Sequence, residues 1–369
     1  MKLYEGVLTG FTLHAATLPL KALELLVPGL LGPVPPPPGQ PLRTPTLDLM
    51  LDRAAAVPCG HADPASALLA RFGASASAPY ALAADDPSWN HTGWWLHADP
   101  VHLRPDRDLL RLFDAAHLGI SRAEADALVT QLNAHFAGDG LHFHAPVADR
   151  WYVRCEAPPG LATTPLARVD GRHVDGFLPT GADASRWAAL MSEAQMLLFQ
   201  SPVNREREAA GRPGVNGLWC WGGGVWQAPA RPPSFAVGAA PLLRGLAAAA
   251  GIEHRDGPVA DVAELATVDA DRVVVFWDAP WDALRDRDAG AWAAAVAALE
   301  RWLAPLPAAL RRGEIDKLDI DPCDAGCRVV RGADLRWYRR RLRRPPSLLD
   351  RAAAGSSPAA GPSARPGGV

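Results

Sequence analysis

The pattern of apolar and polar positions divides the chain into alternating elements. Arg272–Trp277 reads RVVVFW, an unbroken apolar run of the kind that predicts a strand buried on both faces of a parallel sheet. The segment Asp288–Leu310 then supplies a helix to cover it, with Trp292, Val296 and Leu299 on one face. Upstream, Leu47–Ala56 has helical periodicity, and Gly93–Leu103 alternates in the manner of a strand, carrying Trp94, Trp95, His97 and His102. Asp106–Asp114 reads as a connection. Ser121 with Glu124 forms a capping-box signature for a helix that runs to Phe136. LHFHAPV and WYVRC follow as two strands of a hairpin. Asp183 opens a further helix with a broad apolar stripe, and Pro241–Ala250 is an alanine-rich helix ended by Gly251.

These elements predict an α/β fold, a mainly parallel sheet flanked by helices, with an additional α+β region toward the N-terminus. Four segments are expected. Residues 1–44 form a leucine-rich segment and proline-rich linker, residues 45–150 an α+β region, residues 151–344 an α/β region, and residues 345–369 a disordered tail of Ala, Gly, Ser, Pro and Arg.

The densest chemistry lies in Ser201–Gly224, SPVNREREAAGRPGVNGLWCWGGG. Asn204, Arg205, Arg207 and Asn216 carry planar donors suited to a carboxylate or phosphate. Trp219 and Trp221 alternate in a short strand, which should end at Gly222, Gly223 and Gly224, where backbone N–H groups can approach a ligand. The nine residues together make a candidate anion pocket. A tight glycine turn beneath packed tryptophans is the alternative.

This stretch, with ADPVHL (Ala98–Leu103), RWY (Arg150–Tyr152) and EAQMLL (Glu193–Leu198), resembles the bacterial RpfE-type regulatory protein family, whose members are often labelled cofactor-independent phosphoglycerate mutase. The resemblance runs from about Leu25 to Arg344. PVNRER, Asn216, WCWGGG and the segment Phe235–Glu253 are also similar, more weakly, to archaeal-type phosphoglycerate mutases of the alkaline phosphatase superfamily. That similarity implies two divalent metals such as manganese, held by Asp and His, with a Ser or Thr nucleophile. The chain departs from this pattern. No early strand delivers an Asp-Gly pair, no histidine lies between Val273 and Val330, and Ile320-Asp321-Pro322-Cys323 stands where the superfamily has an Asp-His pair. Asp278, Asp282 and Asp286 are spaced four apart but bring no imidazole or thiolate.

The expectation is therefore a non-catalytic regulatory or interaction protein on a degenerate, alkaline-phosphatase-like scaffold, with no catalytic residues, no metal and no cofactor. It would retain a small anionic ligand or a protein partner. An active mutase or related phosphotransferase using two divalent metals is the alternative, and manganese-dependent turnover discriminates the two.

Composition narrows the rest. The 369 residues carry a formal charge of -3 in a mixed pattern, which favours neither nucleic acid nor an anionic membrane. The apolar run Leu13–Val34 is broken by Lys21 and Glu24, too soon to span a bilayer, and a cytoplasmic protein is expected. Five scattered cysteines do not make a disulfide framework. Cys59, Cys155 and Cys220 read as reduced core thiols, and Cys323 with Cys327 lacks evident partners for a metal. His142 and His144 share one strand face and read as a wet hairpin surface.

Overall fold

The computed structural model describes residues 20–32, 42–257, 265, 270–324, 326–336 and 345–355. In chain order the strands are β1 (Leu20–Leu26), β2 (Ala55–Pro58), β3 (Trp94–Asp106), β4 (Leu109–Phe113), β5 (Leu141–Val147) and β6 (Arg150–Cys155). They continue with β7 (Gly217–Val225), β8 (Phe235–Val237), β9 (Glu253–Arg255), β10 (Arg272–Phe276), β11 (Ile315–Asp321) and β12 (Gly326–Arg331). The helices are α1 (Pro45–Arg53), α2 (Pro64–Phe72), α3 (Ala78–Asp85), α4 (Arg122–Phe136), α5 (Ala184–Phe199) and α6 (Pro202–Ala209). After them come α7 (Pro241–Ala250), α8 (Ala279–Arg285), α9 (Ala289–Leu303), α10 (Leu306–Arg312) and α11 (Leu348–Gly355).

Seven strands form one sheet in the order β2-β12-β11-β1-β10-β8-β9, parallel from β11 through β9 and antiparallel at the β12 and β2 edge. The apolar run over β10 is a central strand, as its pattern predicts: Val273 and Val274 are wholly buried. Each such side chain contributes about 1.5–3 kcal/mol when removed from water. Trp292, Val296 and Leu299 of α9 pack with Leu23, Leu25, Val273 and Val275 on one face. Leu26, Val274 and Phe276 meet α2 and α7 on the other. The segment Ala289–Arg312 is long and apolar enough to cross a membrane, but Trp292, Leu299, Trp302 and Leu306 are spent on this core.

The second sheet is antiparallel, β4-β3-β6-β5 with β7 on β3, and it buries α4 and α5 through Leu128, Leu132, Phe136, Trp187 and Leu198. Ser121 caps α4 with the capping box its sequence signals. The expected boundary at residue 150 does not separate the two sheets, because β7 returns to pair with β3 and β2 pairs with β12.

Several expectations are corrected. The leucine-rich start is not a separate segment, since β1 lies between β10 and β11. Its Glu24 is buried and opposed by Arg71 and Arg272, so one inward charge disguised a central strand. Burial pushes the Glu24 carboxyl up, against the pull of Arg71 and Arg272. Asp106–Asp114 is not a plain connection, because Leu109–Phe113 pairs with β3. The tail from residue 345 begins with order: α11 buries Leu348 in the main core, and Asp48 Oδ1 accepts its backbone N–H. Residues 356–369 and most of the proline-rich linker lie outside the described residues.

Candidate functional site

The carboxyl ends of β1, β10 and β11 point to one side of the large sheet, where ligands of open α/β sheets bind. A cleft of about 430 Å³ lies there. Pro28, Gly29 and Gly32 after β1 form one wall, Pro322, Cys323 and Asp324 after β11 another, and Trp281 and Leu284 of α8 a third. Ala62 and Asp63 close it from the start of α2, and Arg168 and Arg172 enter from the loop that covers the second sheet. Arg285 of α8 bonds Asp114 Oδ2, tying that wall to the second sheet.

The cleft is cationic where it meets the loop. Arg168 and Arg172 are exposed and carry no ion pair among the described residues. Of its two carboxylates, Asp63 caps α2 by accepting from Ser66 N–H at 2.8 Å and from Ser66 Oγ at 2.7 Å, and burial pushes Asp324 up. Asp321, at the end of β11, accepts from His61 Nε2 and Arg71 Nη2, each at 2.8 Å, and from Cys323 N–H at 2.8 Å. Burial alone would push its carboxyl up, but His61, Arg71 and the Cys323 N–H hold it well below the usual carboxylate range. β1 runs on into Val27, Pro28 and Gly29, which offer no carboxylate. Asp278 is the N-cap residue of α8 and, like Asp282, is pushed up by burial.

The nine residues singled out from the sequence do not converge. Asn204 is buried and saturated: its amide donates to Leu198 O and Val215 O and its Oδ1 accepts from Val215 N–H. Arg207 is completely buried, donating to Pro213 O at 2.8 Å, to Glu124 Oε2 at 3.0 Å and to Leu118 O. Asn216 brackets the Leu103 backbone through both its amide atoms, and Arg205 is exposed. Trp219 packs in a small core with Leu103, Leu112 and Val174 and donates to Thr164 O. A polar group in helical spacing looks the same in sequence whether it faces a ligand or the chain's own carbonyls.

Trp221, Gly222 and Gly223 do line a second cavity, of about 320 Å³, with Ser66, Ser75, Ser77 and Thr163. The strand does not stop at the glycines, because β7 continues through them to Val225. Glycine is required there by close approach: a Cβ on Gly223 would lie 2.3 Å from the Trp94 ring, and one on Gly224 2.4 Å from the Ala76 Cβ. Gly222 has φ +67°, and a Cβ there would meet Ser77 Oγ at 2.0 Å. Beneath this cavity His97 stacks on Trp221 at 4.2 Å, and the Trp221 indole N–H donates to buried Asp99 at 2.6 Å. Burial pushes Asp99 up to about 7 and His97 down to about 3.

Sequence reasoning missed Arg168, Arg172, Asp63 and His61. Only the Cys-x-His spacing at Cys59 and His61 hinted at chemistry.

Comparison with known proteins gives a partial answer. A 151-residue stretch is 27% identical to the 2,3-bisphosphoglycerate-independent phosphoglycerate mutase of Methanosarcina barkeri, covering 38% of this chain and 37% of that protein. A 103-residue stretch is 34% identical to the enzyme of the same name from Methanothrix thermoacetophila, covering 26% of each. The chain is a distant homologue of cofactor-independent phosphoglycerate mutases. The matches span little more than a third of those relatives' length at most. No protein-family model matches. Among solved structures, a protein from Pyrococcus horikoshii aligns over 85% of this chain and 87% of its own, with TM-score 0.46 and 18% identity. The cofactor-independent phosphoglycerate mutase of Thermoplasma acidophilum aligns over 85% and 90%, with TM-score 0.40 and 14% identity.

Proposed function

We propose that this phosphoglycerate-mutase-like scaffold serves a non-catalytic regulatory or interaction role, and that its cleft takes a small phosphorylated or carboxylate anion. What carries this reading is the chemistry at the strand ends. Two-metal phosphoryl transfer needs several carboxylates and imidazoles free to hold ions at the carboxyl end of the sheet. Here β1 delivers Pro28, and the Asp321 carboxylate at the end of β11 does not line the cleft but turns to His61 and Arg71. Arg168 and Arg172 supply what anion binding alone requires, charged donors in a cleft. The RpfE-type resemblance supports the regulatory part.

The test has two arms. Purified protein is assayed for mutase turnover with manganese, and 3-phosphoglycerate binding is measured by calorimetry for the wild type and for Arg168→Ala/Arg172→Ala. The expected result is no turnover, with binding weakened at least about tenfold in the double variant, since a charged hydrogen bond is worth about 1.5–3 kcal/mol. Manganese-dependent turnover would overturn the non-catalytic reading. Equal binding by both proteins would remove the cleft as the anion site.

A further inference from the structure

Four metal-ligating side chains meet at the β2 edge of the large sheet. Cys59 and His61 follow β2, Asp321 ends β11, and Cys327 lies in β12. One ligand atom from each, two sulfurs, a nitrogen and an oxygen, falls within 4.8 Å of all the others. His61, Asp321 and Cys327 are buried, and Cys59 is half-buried. The sequence reading of Cys59 as a core thiol is thereby corrected, because its neighbours are an imidazole, a carboxylate and a second thiol. None of the four lines the cleft.

We propose that Cys59, His61, Asp321 and Cys327 form a structural zinc site. Thiolate, imidazole and carboxylate are all zinc ligands and four of them suit its tetrahedral geometry, with Asp321 here in the place of the second histidine of a set of two cysteines and two histidines, whereas hard ions such as manganese and magnesium prefer oxygen. A zinc with sulfurs at about 2.3 Å and nitrogen or oxygen at about 2.0–2.2 Å needs its ligand atoms roughly 3.3–3.8 Å apart. The widest separation must close by about 1 Å, and the 2.8 Å between His61 Nε2 and Asp321 Oδ2 must open as the ion takes the place of their hydrogen bond. On binding, each thiol releases its proton to solvent and donates a sulfur lone pair. Two thiolates and the Asp321 carboxylate then face a divalent ion, and the adjacent Arg71 guanidinium leaves the group neutral. Arg71 is placed for this: its Nη2 lies 2.8 Å from Asp321 Oδ2 and 3.5 Å from Cys327 Sγ. The remaining oxygen, Asp321 Oδ1, is fixed by the Cys323 N–H.

The site also has a structural task. β2 is an exposed edge strand of four residues, paired only with β12 among the described residues. A zinc there fastens the chain leaving β2 to the ends of β11 and β12. It stands within three residues of Ala62, Asp63, Pro322, Cys323 and Asp324 in the cleft wall. The ligand set includes two thiolates, so it differs from the Asp and His set that the mutase resemblance implies.

The experiment uses the full chain, reduced and freed of metal, titrated with zinc against a chromophoric chelator, and with cobalt read by thiolate-to-metal charge-transfer absorption. One equivalent should bind, with thiolate absorption, and the thermal midpoint should rise with zinc. Cys59→Ser should weaken zinc by more than about 100-fold, beyond the loss typical for a residue that only orients a ligand. Circular dichroism of this variant at a half-exposed position checks the fold, and Cys155→Ser serves as the control that should bind as the wild type does. Absence of stoichiometric binding by the wild type would overturn the proposal, as would cobalt binding without thiolate absorption. Undiminished affinity in Cys59→Ser would do the same.

Discussion

Arg207→Ala separates a structural reading of the SPVNRER segment from a ligand-binding one. The Arg207 side chain is fully buried, and its guanidinium donates to Pro213 O, Leu118 O and Glu124 Oε2. Truncation leaves two carbonyls without their charged donor and a carboxylate without one of its two cations. Each hydrogen bond to a charged group is worth about 1.5–3 kcal/mol, but the three do not add, because Glu124 keeps Arg212 at 2.7 Å and the Ser121 N–H at 2.8 Å. Removing one partner of a buried pair typically costs about 3–5 kcal/mol, and that is the loss expected. Arg207→Lys should recover little of it, since an ammonium cannot reproduce a fork that meets three acceptors. Exposed Arg205→Ala should change stability by no more than about 0.5 kcal/mol. Urea unfolding followed by tryptophan fluorescence and circular dichroism measures all three. A loss below about 1 kcal/mol for Arg207→Ala, together with weakened anion binding, would refute the structural account.

Three further outcomes are expected. Asp99→Asn should change the pH dependence of stability. The folded Asp99 carboxyl, at about 7 against an ordinary 3.8, makes a contribution that is present below pH 3.8 and lost as pH rises through about 7. His97, at about 3 against 6.5, makes one that is present above pH 6.5 and lost as pH falls through about 3. The two slopes oppose each other in the wild type, so in Asp99→Asn urea midpoints should climb from about pH 4 to about pH 6.5, and identical profiles would contradict this. Gly245→Ala in α7 should destabilise by about 1–3 kcal/mol in thermal melts, because its Cβ would sit 1.8 Å from Tyr80 O, which outweighs the gain of about 1 kcal/mol in helix propensity. Leu348→Ala should cost about 2–5 kcal/mol by urea unfolding if α11 is part of the core, whereas a loose tail would leave stability unchanged.

Legibility in the sequence followed the range of the interaction. β10 and α9 were readable because burial on both faces of a parallel sheet writes itself as consecutive apolar residues, and a covering helix as a 3.6-residue stripe. The Ser121 capping box was readable because all its bonds are local. β1 was obscured by Glu24, whose neutralising partners Arg71 and Arg272 lie far along the chain. β2 and β4 are short, and their order comes from β12 and β3 rather than from their own residues. The same limit governed the site. Arg207 and Asn204 announced their polarity but not their partners, which are backbone groups around α6 and, for Arg207, the Glu124 carboxylate of α4. Cys59 and His61 stand about 260 residues from Asp321 and Cys327, so only the sheet order β2-β12-β11 makes them neighbours.

On the proposed reading, binding and transfer make different demands on the cleft. Binding a phosphorylated anion needs charge and donors in place, which two arginines provide. Transferring its phosphoryl group also needs an activated nucleophile and a counter-charge on the leaving oxygen, which arginines at the loop do not supply. The carboxyl end of β1 is decisive here, because a proline at position 28 can neither ligate an ion nor be made to by rotation of a side chain. Replacing Pro28 by Asp would add one carboxylate to a cleft whose Asp63 is occupied in capping α2 and which beside Asp324 is lined by no imidazole. That variant should therefore gain no turnover with manganese, and a chain in which this single change created mutase activity would show that the remaining ligands were in place after all.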